Sequence, residues 1–141
     1  MPRQYDFAES DKIGYKGQQV VHSYLESLDD VITVQDVSSD PMFREHGVDL
    51  LWKVRQEPTY DKPSREPKSV TGDVKTDRLI SRTHNFFLEV DRHERLEKPG
   101  WVFTSIADRL LYLSWNDQVL YDLSMDQVCD FVGLEGHKYR R

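Results

Sequence analysis

The sequence predicts an α/β or α+β fold in which a central mixed β-sheet is flanked by helices. Three observations support this prediction: an apolar stripe of helical period near the N-terminus, several short β-branched or alternating runs after it, and a second helical pattern near the C-terminus. With 141 residues, the chain has the length of one ordinary domain. We therefore expect residues 1–141 to form a single globular unit.

The first predicted elements are a helix and a strand. Val21, Leu25 and Leu28 recur at helical spacing, which predicts a helix over residues 16–29. The run VITVQDV, residues 31–37, is rich in β-branched residues and is followed by the turn-prone SSDP. This run is predicted as the first strand.

The second predicted strand is VDLLWKV, residues 48–54. Strict alternation would place Val48, Leu50 and Trp52 on one face of this strand and Asp49 on the other. The polar face of the strand therefore carries a carboxylate.

A long connector separates this strand from the third. Residues 55–69 hold three prolines among charged and small residues, which excludes a central strand and predicts an exposed connector. The run SVTGDVKTD, residues 69–77, then predicts a third strand with Asp73 and Lys75 on its polar face.

The remaining predicted elements complete the sheet and close the chain. The predicted strands are FFLEV at 86–90, WVFT at 101–104, and a hairpin of 110–115 with 118–123 around the turn residues Asn116 and Asp117. A last helix is predicted to begin at Ser124, because Gln127 three residues later completes a capping box. We expect Gly133 to end this helix.

The polar faces of the second and third strands predict a metal site. Residues two apart on a strand lie roughly 7 Å apart on one face, so Asp73 and Lys75 are neighbours. If the two strands pair, Asp49 projects beside Asp73, and the backbone carbonyl of Val74 supplies a third oxygen of the kind that Mg²⁺ prefers.

Such a site would suit phosphodiester hydrolysis. Mg²⁺ there would acidify a water and stabilise the charge that builds up at phosphorus. Lys75 would orient or help deprotonate that water and screen the developing charge. The simpler alternative is that Asp73 and Lys75 form a structural or surface ion pair, worth less than about 1 kcal/mol when exposed.

Three segments together resemble a known family. "DVKTD", "RTHNFFLEV" and "GWVFTSIADRLLYL" occur in this order after the strand that bears Asp49. The chain resembles the PD-(D/E)xK nuclease superfamily, which has the restriction-endonuclease-like fold and includes archaeal Holliday junction resolvases. The resemblance covers roughly residues 16–123, and it implies an αβββαβ core with a central mixed sheet.

The resemblance also implies roles for individual residues. Asp49 and Asp73, with the carbonyl of Val74, would bind Mg²⁺ or Mn²⁺, and Lys75 would be the catalytic lysine. Glu89 would be a supporting acidic residue near the site. Thr104 and Asp108 match a later element whose role is open, and Asp108 is equally suited to a turn or helix cap.

The sequence departs from the family pattern on the first helix. Many members carry a Glu about four residues after a Gly, whereas here Gly17 is followed at that distance by Val21. The first-helix ligand therefore stays open, with Gln19 and Glu26 as supporting candidates. The full set of residues that could replace the Glu is Gln18, Gln19, His22 and Glu26.

The net charge limits the classes of partner that the chain is expected to bind. The net charge of −6 argues against a protein that coats nucleic acid non-specifically, but it allows a local basic groove. DNA is the expected substrate, a homodimer is possible, and the alternative is a catalytically inactive module that binds nucleic acid or a protein. The groove is expected to be lined by parts of the proline-rich connector and by the cations Arg78, Arg82, Arg92 and Arg95.

The composition also indicates the compartment. No apolar run approaches the roughly 18 residues of a transmembrane helix, so we expect no membrane partner. The N-terminus lacks an apolar signal region, and the single Cys129 cannot form an intramolecular disulfide. A cytoplasmic location is therefore expected.

Overall fold

The computed structural model describes residues 7–83, 91–93, 98–99 and 104–135, and within them an α+β fold. The prediction of a mixed sheet flanked by helices is confirmed. In chain order the elements are α1 (Phe7–Glu26), β1 (Val31–Asp36), α2 (Pro41–Arg44), β2 (Leu50–Val54), β3 (Lys68–Asp77), α3 (Ile80–Thr83), β4 (Asp91–His93), β5 (Lys98–Pro99), β6 (Arg109–Ser114), β7 (Val119–Ser124) and α4 (Met125–Glu135).

Five of the strands form one sheet in the order β1-β2-β3-β6-β7. β1, β2 and β3 pair antiparallel, β3 and β6 pair parallel, and β6 and β7 pair antiparallel. β4 and β5 form a separate two-stranded ribbon. Because β2 runs opposite to β3, the residues just before β2 lie beside the second half of β3.

Apolar side chains cover both faces of the sheet. Alternation on β6 sends Leu111 and Leu113 toward α1 and sends Leu110 and Tyr112 to the other face. Each fully buried side chain of this kind stabilises the fold by about 1.5–3 kcal/mol. The two clusters of buried residues are Val21, Leu25, Leu50, Trp52, Leu111 and Leu113 on the α1 face, and Val48, Ile80, Ala107, Leu110, Tyr112 and Met125 on the other.

The first helix is longer at its start than the sequence predicts. It begins at Phe7 and ends at Glu26, whereas the prediction was 16–29. Gly17 is the reason that α1 lies so close to the sheet, because a Cβ there would come within 2.8 Å of Cγ2 of Thr76 on β3. A glycine that weakens the helix pattern in the sequence is therefore needed for packing.

The prediction that Val48 shares a face with Leu50 and Trp52 is wrong. The β2 ladder begins at Leu50, and Val48 packs in the cluster on the opposite face. Gly47 turns the chain with φ of 69°, and the N–H of Val48 donates to the carbonyl of Phe43 at 3.0 Å. Strand alternation does not yet apply there, which lets the next residue, Asp49, turn toward β3.

The predictions for the C-terminal part are mostly confirmed. The hairpin forms, with β6 beginning and ending one residue earlier than predicted and β7 beginning and ending one residue later. The N–H of Gln127 donates to Oγ of Ser124 at 3.4 Å. The prediction that Gly133 ends the last helix is wrong, because the helix continues to Glu135. The predicted strand at 86–90 and residues 101–103 lie outside the described residues, and Thr104 has helical geometry.

A candidate metal centre where the second strand begins

Asp49 is held at the entrance of β2 by three hydrogen bonds. Its N–H donates to the carbonyl of Gly72 at 2.9 Å, and its carbonyl accepts from Val37 at 2.9 Å. Its side-chain Oδ2 accepts from the N–H of Val74 at 2.8 Å. The carboxylate thus lies against the backbone of β3, beside Asp73.

Asp73 is a buried carboxylate in the middle of β3. It is 1% exposed, and Nζ of Lys75 lies 3.3 Å from its Oδ1. Among the described residues, no group lies in hydrogen-bonding geometry with its other oxygen, Oδ2. Buried carboxylate oxygens are normally paired, because an unpaired one has lost its water without compensation. An unpartnered Oδ2 therefore points to a ligand.

The protonation behaviour of the two carboxylates indicates a site short of positive charge. Burial raises the pKa of Asp73 to about 6, although Lys75 opposes the rise, and the charge of Asp49 adds to it. Burial also raises the pKa of Asp49, against the hydrogen bond from Val74 and the charge of Lys75. One lysine does not neutralise both the buried carboxylate of Asp73 and the half-buried carboxylate of Asp49, and a divalent cation would.

The carbonyl of Val74 completes an oxygen set. In a strand, the N–H and C=O of one residue point to the same side, and the N–H of Val74 points to Asp49. Its carbonyl therefore points to the same edge, where β2 has not yet begun. Among the residues that the structure describes, no group of three or more His, Cys, Asp or Glu could hold a metal ion. Two carboxylates with a carbonyl and waters are nevertheless a set that Mg²⁺ uses.

The supporting candidates on α1 lie away from this set. Gln19 is exposed and lies about 200° around the helix from Gly17, which faces the sheet. Glu26 is 58% exposed and pairs with His22 across 2.7 Å. Glu89 lies outside the described residues. Gln18 on α1 instead reaches Asp36 at the end of β1.

Gln18 belongs to a network that the sequence did not reveal. Its Nε2 donates to Oδ2 of Asp36 and to Oγ of Ser38, each at 3.0 Å. Ser38 donates its N–H and its hydroxyl to Oδ1 of Asp36, at 2.9 and 2.6 Å. Burial would raise the pKa of Asp36, but these bonds outweigh it and lower that pKa. Asp36 is thus a charged neighbour that raises the pKa of Asp49.

Ser105 is a second residue that sequence reasoning missed. Its hydroxyl donates to the carbonyl of Gly47 at 3.1 Å, and the next N–H, of Ile106, donates to the carbonyl of His46 at 2.9 Å. Its hydroxyl also lies near Asp73, where it opposes the rise in the pKa of that carboxyl. The segment before β6 therefore holds the segment before Asp49 against Asp73.

Two other acidic residues have structural partners. Oδ1 of Asp77 accepts from the N–H groups of Leu79 and Ile80 at 2.6 and 3.2 Å, which caps α3, and its Oδ2 accepts from the hydroxyl of Tyr112. Oδ2 of Asp108 accepts from the N–H and the hydroxyl of Thr71 at 2.9 and 3.2 Å. Asp108 thus helps to set the register of β6 on β3. Thr104, four residues earlier, is exposed.

The predicted nucleic-acid-binding arginines are partly described. Arg78 is half-buried, its carbonyl accepts from Nδ2 of Asn116 at 2.8 Å, and Arg82 is exposed on α3. Both follow the end of β3, which is the end nearest Asp49. Arg92 lies on β4 with its side chain not described, and Arg95 lies outside the described residues.

Comparisons with known proteins give no relative for this chain. No family model, curated protein or solved structure matches it. Within the described ranges, no helix has both the length and the apolar character to cross a membrane. The geometry around Asp73 is therefore the basis on which a function can be inferred.

Proposed function

We propose that this chain is a metal-dependent nuclease of the PD-(D/E)xK type that hydrolyses phosphodiester bonds in DNA, most simply as an endonuclease. One observation carries the proposal: Asp73 is fully buried next to Asp49 and Lys75, and one of its oxygens has no hydrogen-bond partner among the residues that the structure describes. A structural ion pair would satisfy Asp73 without a second carboxylate beside it. A hydrated divalent cation accounts for both carboxylates.

The order of elements supports the family assignment. In chain order α1 is followed by the antiparallel strands β1, β2 and β3 and later by β6, which is parallel to β3. This agrees with the helix and the strands of an αβββαβ core, whose second helix corresponds in the described residues only to the four-residue α3. The two aspartates also lie on neighbouring segments, with Asp49 bonded to the residue that follows Asp73.

The residues of the site would have two different roles in hydrolysis, metal binding and orientation of the attacking water. Asp49, Asp73 and the Val74 carbonyl would hold Mg²⁺ or Mn²⁺, which supplies an acidified water and charge stabilisation at phosphorus. Lys75 is held by Asp73 yet is 34% exposed, so its ammonium group reaches the solvent side of the site. There it orients the attacking water and screens charge on the phosphate oxygens.

DNA would approach from the end of the sheet that carries α3. Arg82 is exposed there, and Arg78 precedes it on the same segment. Because the net charge is −6, these contacts act only locally, and binding should weaken steeply with salt. Cutting both strands of a duplex would be simplest with two copies related by a two-fold axis, which makes a homodimer part of the proposal.

A second candidate function is a catalytically inactive module with this fold that binds nucleic acid or a protein. The limited number of carboxylates favours it, since the described residues contain no cluster of three or more metal-ligating side chains. Such a module would bind Mg²⁺ or Mn²⁺ poorly and cut nothing. The two candidates therefore differ in measurable properties.

The test is a cleavage assay on several forms of DNA. The purified protein is incubated with supercoiled, linear, single-stranded and branched DNA, with Mg²⁺, Mn²⁺ or EDTA. We expect cleavage that requires metal and disappears in Asp73→Asn and Lys75→Ala. A folded parent protein that cuts none of these substrates with either metal would instead support the inactive module.

The chain offers a matched control pair. Arg109 and Asp122 form an ion pair with 2.8 Å between Nε and Oδ1, and both side chains are partly exposed. Asp122→Asn removes a carboxylate from an ion pair as Asp73→Asn does, but it lies on β7 away from Asp49. We expect Asp122→Asn to keep full activity. Equal losses in both variants would indicate general instability, and full activity in both would indicate a contaminating nuclease.

A further inference from the structure

The connector between β2 and β3 is an ordered projection rather than a loose loop. Beyond the last ladder pair, Val54 with Lys68, Nε2 of Gln56 donates to the carbonyl of Glu66 at 2.7 Å. Nη1 of Arg65 donates to the carbonyl of Glu57 at 3.4 Å. These cross-links continue the register of the β2–β3 hairpin, and we call residues 55–67 the finger.

The tip of the finger is closed by backbone hydrogen bonds. The N–H of Thr59 donates to the carbonyl of Lys62 at 2.9 Å, and the N–H of Lys62 donates to the carbonyl of Thr59 at 3.1 Å. Pro58 and Pro63 flank this pair and restrict the backbone on both sides. The finger is therefore preorganised, which lowers the entropy lost when it binds a partner.

The finger presents an aromatic side chain at its tip. Tyr60 lies between Thr59 and Lys62, and its relative exposure is 102%, the highest of the exposed large apolar side chains in the described residues. A tyrosine ring has only two side-chain torsions, so fixing it on a partner costs little conformational entropy. The Tyr60 ring is therefore fully open to solvent in the part of the chain that the structure describes.

The charge at the finger differs from that of the whole chain. Residues 55–67 contain three Lys or Arg and three Asp or Glu, and Lys53 and Lys68 on the strands at the base add two positive charges, whereas the chain has a net charge of −6. The cations are Lys53, Arg55, Lys62, Arg65 and Lys68. A locally positive support with an exposed aromatic tip is the combination by which proteins bind single-stranded nucleic acid.

We propose that the finger binds nucleic acid and that the Tyr60 ring stacks on an unpaired base. The identity of the partner as nucleic acid rests on the proposed function. Stacking favours bases that are already out of a duplex, because a paired base must first be unstacked. The finger thus gives the enzyme a preference for DNA with single-stranded or distorted positions.

The position of the finger sets the length of DNA that is needed. It projects from the end of β2 and β3 opposite to Asp49, and Lys68 at its base precedes Val74 by six residues. At roughly 3.3 Å per residue, the base of the finger lies about 20 Å from the site. That distance is about six base pairs at 3.4 Å each, and Tyr60 lies beyond the base, so DNA of six base pairs or fewer cannot engage both Tyr60 and the site.

The test measures binding in EDTA, so that cleavage plays no part. Fluorescence anisotropy follows the binding of labelled 20-nucleotide single strands, the matching duplex, and the duplex with a four-nucleotide bubble. Variants are Tyr60→Ala, Tyr60→Phe and, as control, Tyr15→Ala, since Tyr15 is a 62% exposed tyrosine on α1. Tyr60→Ala should weaken binding to the single strand and the bubble by about 5- to 150-fold.

Tyr60→Phe should bind within about twofold of the parent, because the stacking face is kept. The perfect duplex should bind more weakly than the bubble and respond less to Tyr60→Ala. If Tyr60→Ala binds all three DNAs as the parent and Tyr15→Ala do, the finger is not a stacking site. Binding that depends on Tyr60 without any cleavage would keep this inference and overturn the nuclease, whereas cleavage without dependence on Tyr60 would do the reverse.

Discussion

The N–H of Val74 donates to Oδ2 of Asp49 across 2.8 Å, at the place where β2 has not yet begun. A carboxylate thus occupies the position on the edge of β3 that a backbone carbonyl would take in a longer β2. This arrangement brings one acidic side chain beside the buried Asp73 and the Val74 carbonyl. The departure of Asp49 from strand geometry therefore builds the candidate site.

Substitutions at Asp49 should separate its structural role from its ligand role. Asp49→Asn keeps an oxygen that can accept from Val74, so its free energy of unfolding should stay close to that of the parent. Asp49→Ala leaves the Val74 N–H unpaired and should lower that free energy by about 1–3 kcal/mol. Urea unfolding measures the free energy of unfolding of each variant. Both variants should lose cleavage. Cleavage by Asp49→Asn at the parent rate would exclude Asp49 as a metal ligand.

Asp73 should make the metal-free protein less stable as the pH rises. Its folded-state pKa is about 6 against 3.8 for an unperturbed Asp, so between these values the folded state holds more protons than the unfolded state. The contribution of Asp73 therefore falls as the pH rises from about 4 to about 6, by on the order of 3 kcal/mol. Asp73→Asn should lack this loss.

The corresponding measurement is urea unfolding in EDTA at pH 4.5 and pH 7. Between the two pH values, the parent should lose more stability than Asp73→Asn, while Asp122→Asn should behave as the parent. Asp49 contributes a change of the same sign, which the Asp73 variant keeps. Saturating Mg²⁺ should reduce the loss, because it favours the ionised carboxylates. A parent and Asp73→Asn with the same pH dependence would show that Asp73 is not buried as described.

Gly17 and Gly14 form a matched pair on α1. A methyl group at Gly17 would meet the side chain of Thr76, whereas nothing lies within 4 Å of one at Gly14. Gly17→Ala should therefore destabilise the protein by about 1–3 kcal/mol through overpacking. Gly14→Ala should stabilise it by about 0.5–1 kcal/mol, as expected inside an exposed helix. Thermal unfolding distinguishes them, and a stabilising Gly17→Ala would contradict the contact of α1 with β3.

Arg82 should contribute to DNA binding through charge alone. It is exposed on α3 beyond the end of β3, so Arg82→Ala should weaken binding to all DNA forms by a similar factor. The dependence of log Kd on log salt should fall by about one unit, as expected for one lost phosphate contact. Lys12→Ala, which removes an exposed cation from α1, is the control. An unchanged salt slope would place the DNA elsewhere.

Local patterns in the sequence predicted the strands of the five-stranded sheet well, but they did not predict β4 and β5. On β3, alternation correctly separated Gly72 from Asp73, and Gly72 is needed because a Cβ there would lie 2.7 Å from the Trp52 ring. The terminal hairpin followed from the turn residues between two apolar runs. These predictions succeeded because strand alternation and turn chemistry involve only neighbouring residues.

The features that sequence reasoning predicted wrongly or missed depend on contacts between distant segments. The turn at Gly47 sends Val48 to the opposite core cluster, and it is held by Ser105, which is 58 residues away. The bonds of Gln18 to Asp36 and Ser38 also join separate elements. Asp36 followed by Ser38 is a pattern typical of an Asx turn, which was the available signal for a fixed carboxylate there.

The most direct test of the account is a calorimetric titration of the metal-free protein with Mn²⁺, in parallel with Asp73→Asn and Asp122→Asn. If Asp49, Asp73 and the Val74 carbonyl form a metal centre, the parent and Asp122→Asn should each bind one Mn²⁺ with similar affinity, and Asp73→Asn should show at least a tenfold loss. A folded parent that binds no Mn²⁺, or three proteins that bind it equally, would contradict the central claim that Asp73 is a metal ligand.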